Sequence, residues 1–257
     1  MKKYEFTGET KTVPLLFENV TLHRIQAITS FENVVAGELG GWIEKEENLS
    51  QGGNAWVGGN AWVGDNARVD GNAQVGGNAQ VGGNAQVRGN ARVGGNAWVG
   101  GNAQVSGNAQ VRGNAWVGGN AWVGGNAQVS GNAQVRGNAW VGGNAQVRGN
   151  ARVGGNAWVD GNAWVCGDAW VRGNAQVCGD ARVFSINHIL TIGVIGSRDD
   201  FTTFYRDKDN EITVKCGCFS GKIDKFLEKV AQTHGDSKYA QVYKKAVELA
   251  KLQILTG

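Results

Sequence analysis

Gly113-Asn114-Ala115-Trp116-Val117-Gly118-Gly119-Asn120-Ala121-Trp122-Val123-Gly124 holds two copies of one six-residue phrase, Gly-Asn-Ala-x-Val-x. Worked outward, the phrase runs from Asn54 to Val183, with a valine at 57, 63, 69 and every sixth position to 183, 22 copies without a miss. Alanine stands two residues before each valine. In extended chain the pair points to one side and the residue between them to the other. Gly-Asn then supplies a bend, because both residues tolerate positive φ. A short strand and a bend every six residues predict a β-helix, with three strands making one triangular coil of about 18 residues. The array then gives about seven coils and, at about 4.8 Å per coil, a prism roughly 35 Å long. Asparagines at the bends are expected to stack into amide ladders. Asp65, Asp168 and Asp180 interrupt the phrase near its ends, as terminal repeats do.

The phrase resembles the hexapeptide-repeat superfamily. That resemblance, not the period, implies a left-handed parallel β-helix, and it favours a homo-oligomer, a trimer first. Many members are acyltransferases; others are scaffolds, polymers or ice binders. Leu39-Gly40-Gly41-Trp42-Ile43 followed by Asn48-Leu49-Ser50-Gln51-Gly52 resembles the lead-in of uncharacterised bacterial and phage hexapeptide-repeat proteins, which implies a prokaryotic or mobile-element setting.

Residues 18 apart share a face, so the outward positions sort into three columns. The first reads Trp56, Gln74, Arg92, Gln110, Gln128, Gln146, Trp164, Arg182; the second Trp62, Gln80, Trp98, Trp116, Gln134, Arg152, Trp170; the third Arg68, Gln86, Gln104, Trp122, Trp140, Trp158, Gln176. Nine of the ten tryptophans thus point outward. Exposed indoles at this density mark a covered surface, so Trp98, Trp116, Trp122, Trp140 and Trp158 are expected at an interface, with another copy of the chain as the first partner. The nine arginines of the array fall in several columns and read as a solvated face rather than a phosphate stripe.

Composition sets the outer bounds. Glycine numbers 42 and proline 1, and the glycine is periodic, which excludes a disordered linker. A net charge of +3 does not call for nucleic acid. No run of apolar residues is long enough to span a bilayer, and Met1-Lys2-Lys3-Tyr4-Glu5-Phe6 lacks the apolar core of a signal peptide, so a soluble cytoplasmic protein is expected. Cys166, Cys178, Cys216 and Cys218 suit reduced thiols, and Cys216-x-Cys218 is too close for a zinc half-site, so neither a metal nor a cofactor is expected.

The fold class is therefore mainly β: an N-terminal capping segment (1–52), the β-helix (53–183) and a small C-terminal α+β domain (184–257). In the last, strands are read at Ile189–Ile195, Phe201–Arg206 and Glu211–Cys216, and helices at 223–233 and 237–255. Apolar stripes are read as Ile223, Phe226, Leu227, Val230 and as Val242, Ala246, Leu249, Leu252. Ser197, Arg198, Thr202, Thr203, Arg206 and Lys215 supply hydroxyls and cations suited to a nucleotide-like anion. No histidine lies in the array; His23, His188 and His234 flank it. Because acyl transfer needs a base, the leading expectation is a non-enzymatic scaffold or binding protein that sequesters an anionic signal. The alternatives are an acyltransferase using His188 or His234, and a structural polymer or virion component.

Overall fold

The computed structural model describes residues 2–14 and 19–255; Met1, 15–18 and 256–257 lie outside it. The repeats form 22 two-residue strands, β4 (Trp56–Val57) to β25 (Arg182–Val183), stacked in three parallel sheets. Each strand pairs with the one 18 residues on, so Trp122 meets Trp140 and Val123 meets Val141. The three columns emerge in register as read. Every repeat alanine and valine is buried, and together they make one continuous core.

The corners divide the labour differently from the sequence reading. Positive φ falls on the glycine alone, as at Gly119 (φ 68°), and not on the asparagine. Asparagine builds the ladder instead: Asn102 Nδ2 donates to Asn120 Oδ1 at 2.8 Å and Asn120 Nδ2 to Asn138 Oδ1 at 2.9 Å. Asp65 replaces a corner glycine at φ 55°, and its carboxylate accepts from the Gly83 N–H at 2.6 Å.

The helix begins earlier than the glycine phrase does. Strand β3 (Leu39–Ile43) pairs in parallel with β5 (Trp62–Val63), and Leu49 bridges Val69, which brings the solenoid to about eight turns. The two glycines of β3 are needed for close approach: a Cβ on Gly41 would lie 2.5 Å from the Ala61 carbonyl oxygen. Strands β1 (Tyr4–Pro14) and β2 (Asn19–Ala27) form an antiparallel hairpin, and β2 extends the sheet of β3.

Both ends of the solenoid are chemically matched to what they cover. Each backbone N–H donates toward the following coil, as Trp56 N does to Ala73 O at 2.9 Å. The first coil therefore presents spare carbonyls and the last coil spare N–H groups, each costly to bury unpaired. At the first coil the Lys3 ammonium donates to the carbonyls of Ala55, Gly52 and Gly53 at 2.7, 3.3 and 3.4 Å. Burial pushes its pKa down to about 8. Tyr4, Ile25, Val34 and Leu49 close the apolar end. At the last coil the Thr203 hydroxyl accepts from the Gln176 N–H at 3.1 Å, and Tyr205 and Ile189 close the core.

The C-terminal sheet runs β26 (Ile189–Ile195), β27 (Asp200–Arg206), β28 (Ile212–Cys216), β29 (Phe219–Lys222), all antiparallel, followed by α1 (Ile223–His234) and α2 (Lys238–Leu255). Strand β29 was not expected from the sequence: Phe219-Ser220-Gly221-Lys222 carries one bulky apolar residue and no alternation. Period 2 sends Thr203 and Tyr205 of β27 toward the solenoid, and Phe204 toward the helices with Val214, Phe226 and Tyr243. The stripe read for α2 is corrected. Val242, Leu249 and Leu252 are exposed, and α2 buries Ala240, Tyr243, Ala246, Val247, Ala250 and Ile254. Small alanines let the helix sit close, and hydropathy alone did not reveal that face.

Candidate functional site

A cavity of about 350 Å³ opens between the edge of the C-terminal sheet and α1 and α2, lined among others by Ser197, Arg198, Cys218, Phe219, Lys229 and His234. The strand geometry explains its chemistry. Gly196 (φ 80°) turns the chain after β26 and presents Ser197 and Arg198. Phe219 and Phe226, 5.3 Å apart, with Tyr243 edge-on to Phe226 at 5.4 Å, make an apolar floor. Arg198 and Lys229 line it with their cations, and among the described residues no carboxylate does. His234 ends α1, its ring 5.8 Å from that of Tyr243. Burial first, then Cys216, pushes the Tyr243 pKa up to about 12, so its hydroxyl remains a donor. From the sequence, His234 is only one of two flanking candidates for a base. Its contribution to a cavity depends on the crossing of two helices, which no local pattern encodes.

The six residues read as an anion site do not assemble. Ser197 and Arg198 line the cavity. Thr202 is buried and donates to Cys216 Sγ at 3.2 Å. Thr203 and Lys215 are paired on β27 and β28, and Thr203 points to the last coil. Arg206 places Nη1 3.0 Å from His188 Nε2. A sheet that is two-faced from residue to residue separates neighbours that look like one cluster in the sequence.

His188 is fully engaged: Nδ1 accepts from the Phe184 N–H at 3.2 Å while Nε2 faces Arg206. Burial and then the Arg206 charge hold its pKa below the usual histidine range. His23 lies beside Phe6 in the N-terminal hairpin, the ring centroids 5.0 Å apart and the planes tilted at 39°. All four cysteines are free thiols, and burial raises the pKa of Cys166 and Cys178. Among the described residues no three His, Cys, Asp or Glu side chains converge as a metal site. No described helix is long and apolar enough to cross a membrane.

The tryptophans occupy their expected positions with unequal exposure. Trp56 is 4% and Trp62 8% exposed, covered by Phe31 and by Val20, Leu22 and Trp42 of the N-terminal segment. Trp98 and Trp116 meet edge-on at 5.0 Å on one face. On another, Trp122 and Trp140 stack at 4.8 Å and 4°, and Trp140 and Trp158 tilt at 4.2 Å. The five residues read as one interface therefore lie on two faces, and part of their surface is spent on each other. A sequence signal existed: Gly100, Gly124 and Gly142 follow Trp98, Trp122 and Trp140 by two positions, and each indole lies over its glycine, leaving no room for a Cβ. Asp160, Cys166 and Arg172 stand there after Trp158, Trp164 and Trp170, which are 46%, 39% and 39% exposed.

A family model described as YdcK beta solenoid repeat matches residues 103–119 and 127–143. The uncharacterized acetyltransferase YdcK of Escherichia coli (strain K12) is 39% identical over 61 residues, which is 22% of this chain and 19% of that protein. The chain thus spans about a fifth of the length of that relative. This similarity overturns the expectation of a non-enzymatic scaffold or sequestering protein, because the named relative is an acetyltransferase. The absence of a histidine from the array weighs against acyl transfer only if neither flanking histidine, His188 or His234, serves as the base. Repeat, solenoid and matched segments together fit a hexapeptide-repeat left-handed β-helix.

Proposed function

We propose that the chain is an acyltransferase of the hexapeptide-repeat type, moving an acetyl group from a thioester donor to a hydroxyl or amine acceptor. The similarity to an acetyltransferase carries this reading. The geometry supports His234 as the base: of the three histidines it lines the cavity, with the hydroxyls of Ser197, Thr233 and Tyr243 and the cations of Arg198 and Lys229. His234 takes the acceptor proton as the acceptor oxygen or nitrogen attacks the thioester carbonyl. The thiolate then leaves and is protonated, and the acetyl group stays on the acceptor. Arg198 and Lys229 attract an acidic acceptor, and the Tyr243 hydroxyl donates to it.

The test is thiol release from acetyl-coenzyme A with acidic amino acids and phosphorylated amino sugars as acceptors. Turnover is expected in the wild-type chain and in His188→Ala, and a loss of roughly 100-fold or more in His234→Ala. Absence of acceptor-dependent thiol release, or full activity in His234→Ala, overturns it. The face bearing Trp122, Trp140 and Trp158 is the proposed subunit contact; Trp158→Glu is expected to shift the oligomer to monomer in light scattering.

A further inference from the structure

Three arginines surround a second cavity, of about 410 Å³, on the solenoid face that carries Trp98 and Trp116. Arg136, Arg152 and Arg172 line it with Gln134, and Gly154 and Gly155 form its floor. In sequence Arg136 and Arg172 share one phase, while Arg152 belongs to a different column. The coil puts them together: Gln134, Arg152 and Trp170 are consecutive partners on one sheet, and Arg136 and Arg172 sit beside that column two coils apart, roughly 10 Å. Between those two, Gly154 leaves the gap.

The guanidinium groups are held in place rather than left waving. Arg136 lies over the Trp116 ring at 3.7 Å to its centroid, and Arg172 over Trp170 at 3.4 Å. Arg152 faces the same Trp170 ring at 5.0 Å. Stacking leaves the N–H edges of a guanidinium free to donate. Two cations on one indole are closer than the roughly 10 Å over which exposed charges repel at 0.1 M salt.

No carboxylate relieves that repulsion. Elsewhere in the array one does: Arg88 pairs with Asp70, one coil below, at 3.5 Å. The column holding Arg136 and Arg172 reads Gly64, Gly82, Gly100, Gly118, Arg136, Gly154, Arg172, with no acid in it. Among the described residues none of the three arginines makes an ion pair within 4.0 Å.

We infer that this concavity is an oligophosphate-binding site, taking a chain of two or three phosphates across Arg136, Arg152 and Arg172. Both nearby indoles are already covered by guanidinium, so recognition lies in the phosphate chain and not in a stacked base. The inference is independent of the acyl-transfer reading and of the His234 cavity.

The test is titration calorimetry on the full chain with tripolyphosphate, adenosine triphosphate and orthophosphate, with tryptophan fluorescence followed in parallel. Tripolyphosphate is expected to bind at least tenfold tighter than orthophosphate, to weaken as salt rises, and to change the emission. Equal affinity for adenosine triphosphate identifies the bare phosphate chain as the ligand; a clear gain over tripolyphosphate identifies a nucleotide as its source. Gly154→Glu places a carboxylate in the gap, and its Cβ meets only the Arg136 carbonyl oxygen, at 3.8 Å. It is expected to weaken binding tenfold or more, as is Arg152→Gln. Gly76→Glu, where a Cβ meets nothing within 4 Å, is the folded control of equal charge. Undiminished binding in Gly154→Glu, or no preference for tripolyphosphate over orthophosphate, overturns the inference.

Discussion

The solenoid and the C-terminal domain solve the same burial problem with opposite means. In the solenoid each residue does one job and repeats it: alanine and valine fill, glycine turns, asparagine links coil to coil. In the C-terminal domain single residues do several jobs at once. Asp207 is the clearest: its carboxylate accepts from the N–H groups of Asp209 and Glu211 at 3.0 and 3.1 Å and from the Thr213 hydroxyl at 2.8 Å, and it pairs with Lys222. Its backbone bridges Ala181 of the last coil. Redundancy in the first region gives a rigid rod with few distinct surfaces. Singularity in the second gives a cavity with distinct chemistry.

The largest expected effect tests whether redundancy protects the rod. Val117 is fully buried between identical neighbours. Val117→Asp strands a charge there and is expected to cost on the order of 4 kcal/mol or more, read as an early first transition in thermal unfolding. A loss below about 1 kcal/mol shows that the coils yield locally.

Next comes a comparison within the repeat itself. Gly119 has φ 68°, and a Cβ there would sit 2.9 Å from the Gly137 carbonyl oxygen. Gly119→Ala is expected to cost about 2 to 3 kcal/mol in denaturant unfolding, while Gly76→Ala, in open space, stays within about 0.5 kcal/mol.

In the C-terminal domain, Asp207→Asn removes charge-assisted hydrogen bonds and is expected to cost about 2 kcal/mol at pH 7. Burial opposes the charge, but Lys222, Thr213 and the two N–H groups outweigh it and hold the carboxyl below the usual carboxylate range. The unfolded chain therefore binds that proton more readily than the folded one. The contribution is full above the ordinary value of about 3.9 and fades as pH falls through the lower folded value. Wild type and Asp207→Asn should begin to draw together as pH falls below about 4 and should converge only below the lower folded value; a difference that persists there assigns the effect to shape rather than charge.

The smallest effect concerns the seam between the regions. Thr203→Val leaves the Gln176 N–H without its acceptor, at a cost of about 1 to 2 kcal/mol. Hydrogen exchange should report it as faster exchange at the last coil, with the middle of the rod unchanged.

The two regions also differ in how far the sequence could be read. Period six gave the solenoid, its columns and its ladders, because each coil contacts only the coils above and below, so spacing along the chain is spacing in space. The strands β26 to β28 and both helices were legible from alternation and apolar spacing, but β29 and the buried face of α2 were not. Candidate chemistry fared worse. Thr203 and Arg198, five residues apart, end on different sides of a sheet, while Arg198 and His234, far apart in sequence, line one cavity.

By itself, then, the sequence determined the period, the core and the register of this protein, since a six-residue phrase repeated 22 times sets residues 18 apart above one another in a three-strand coil. Only the tertiary structure decided which tryptophans are covered, that Arg136, Arg152 and Arg172 meet, and that His234 opens on a cavity. Those depend on where caps, corners and helices cross, and such contacts join residues whose separation along the chain carries no period.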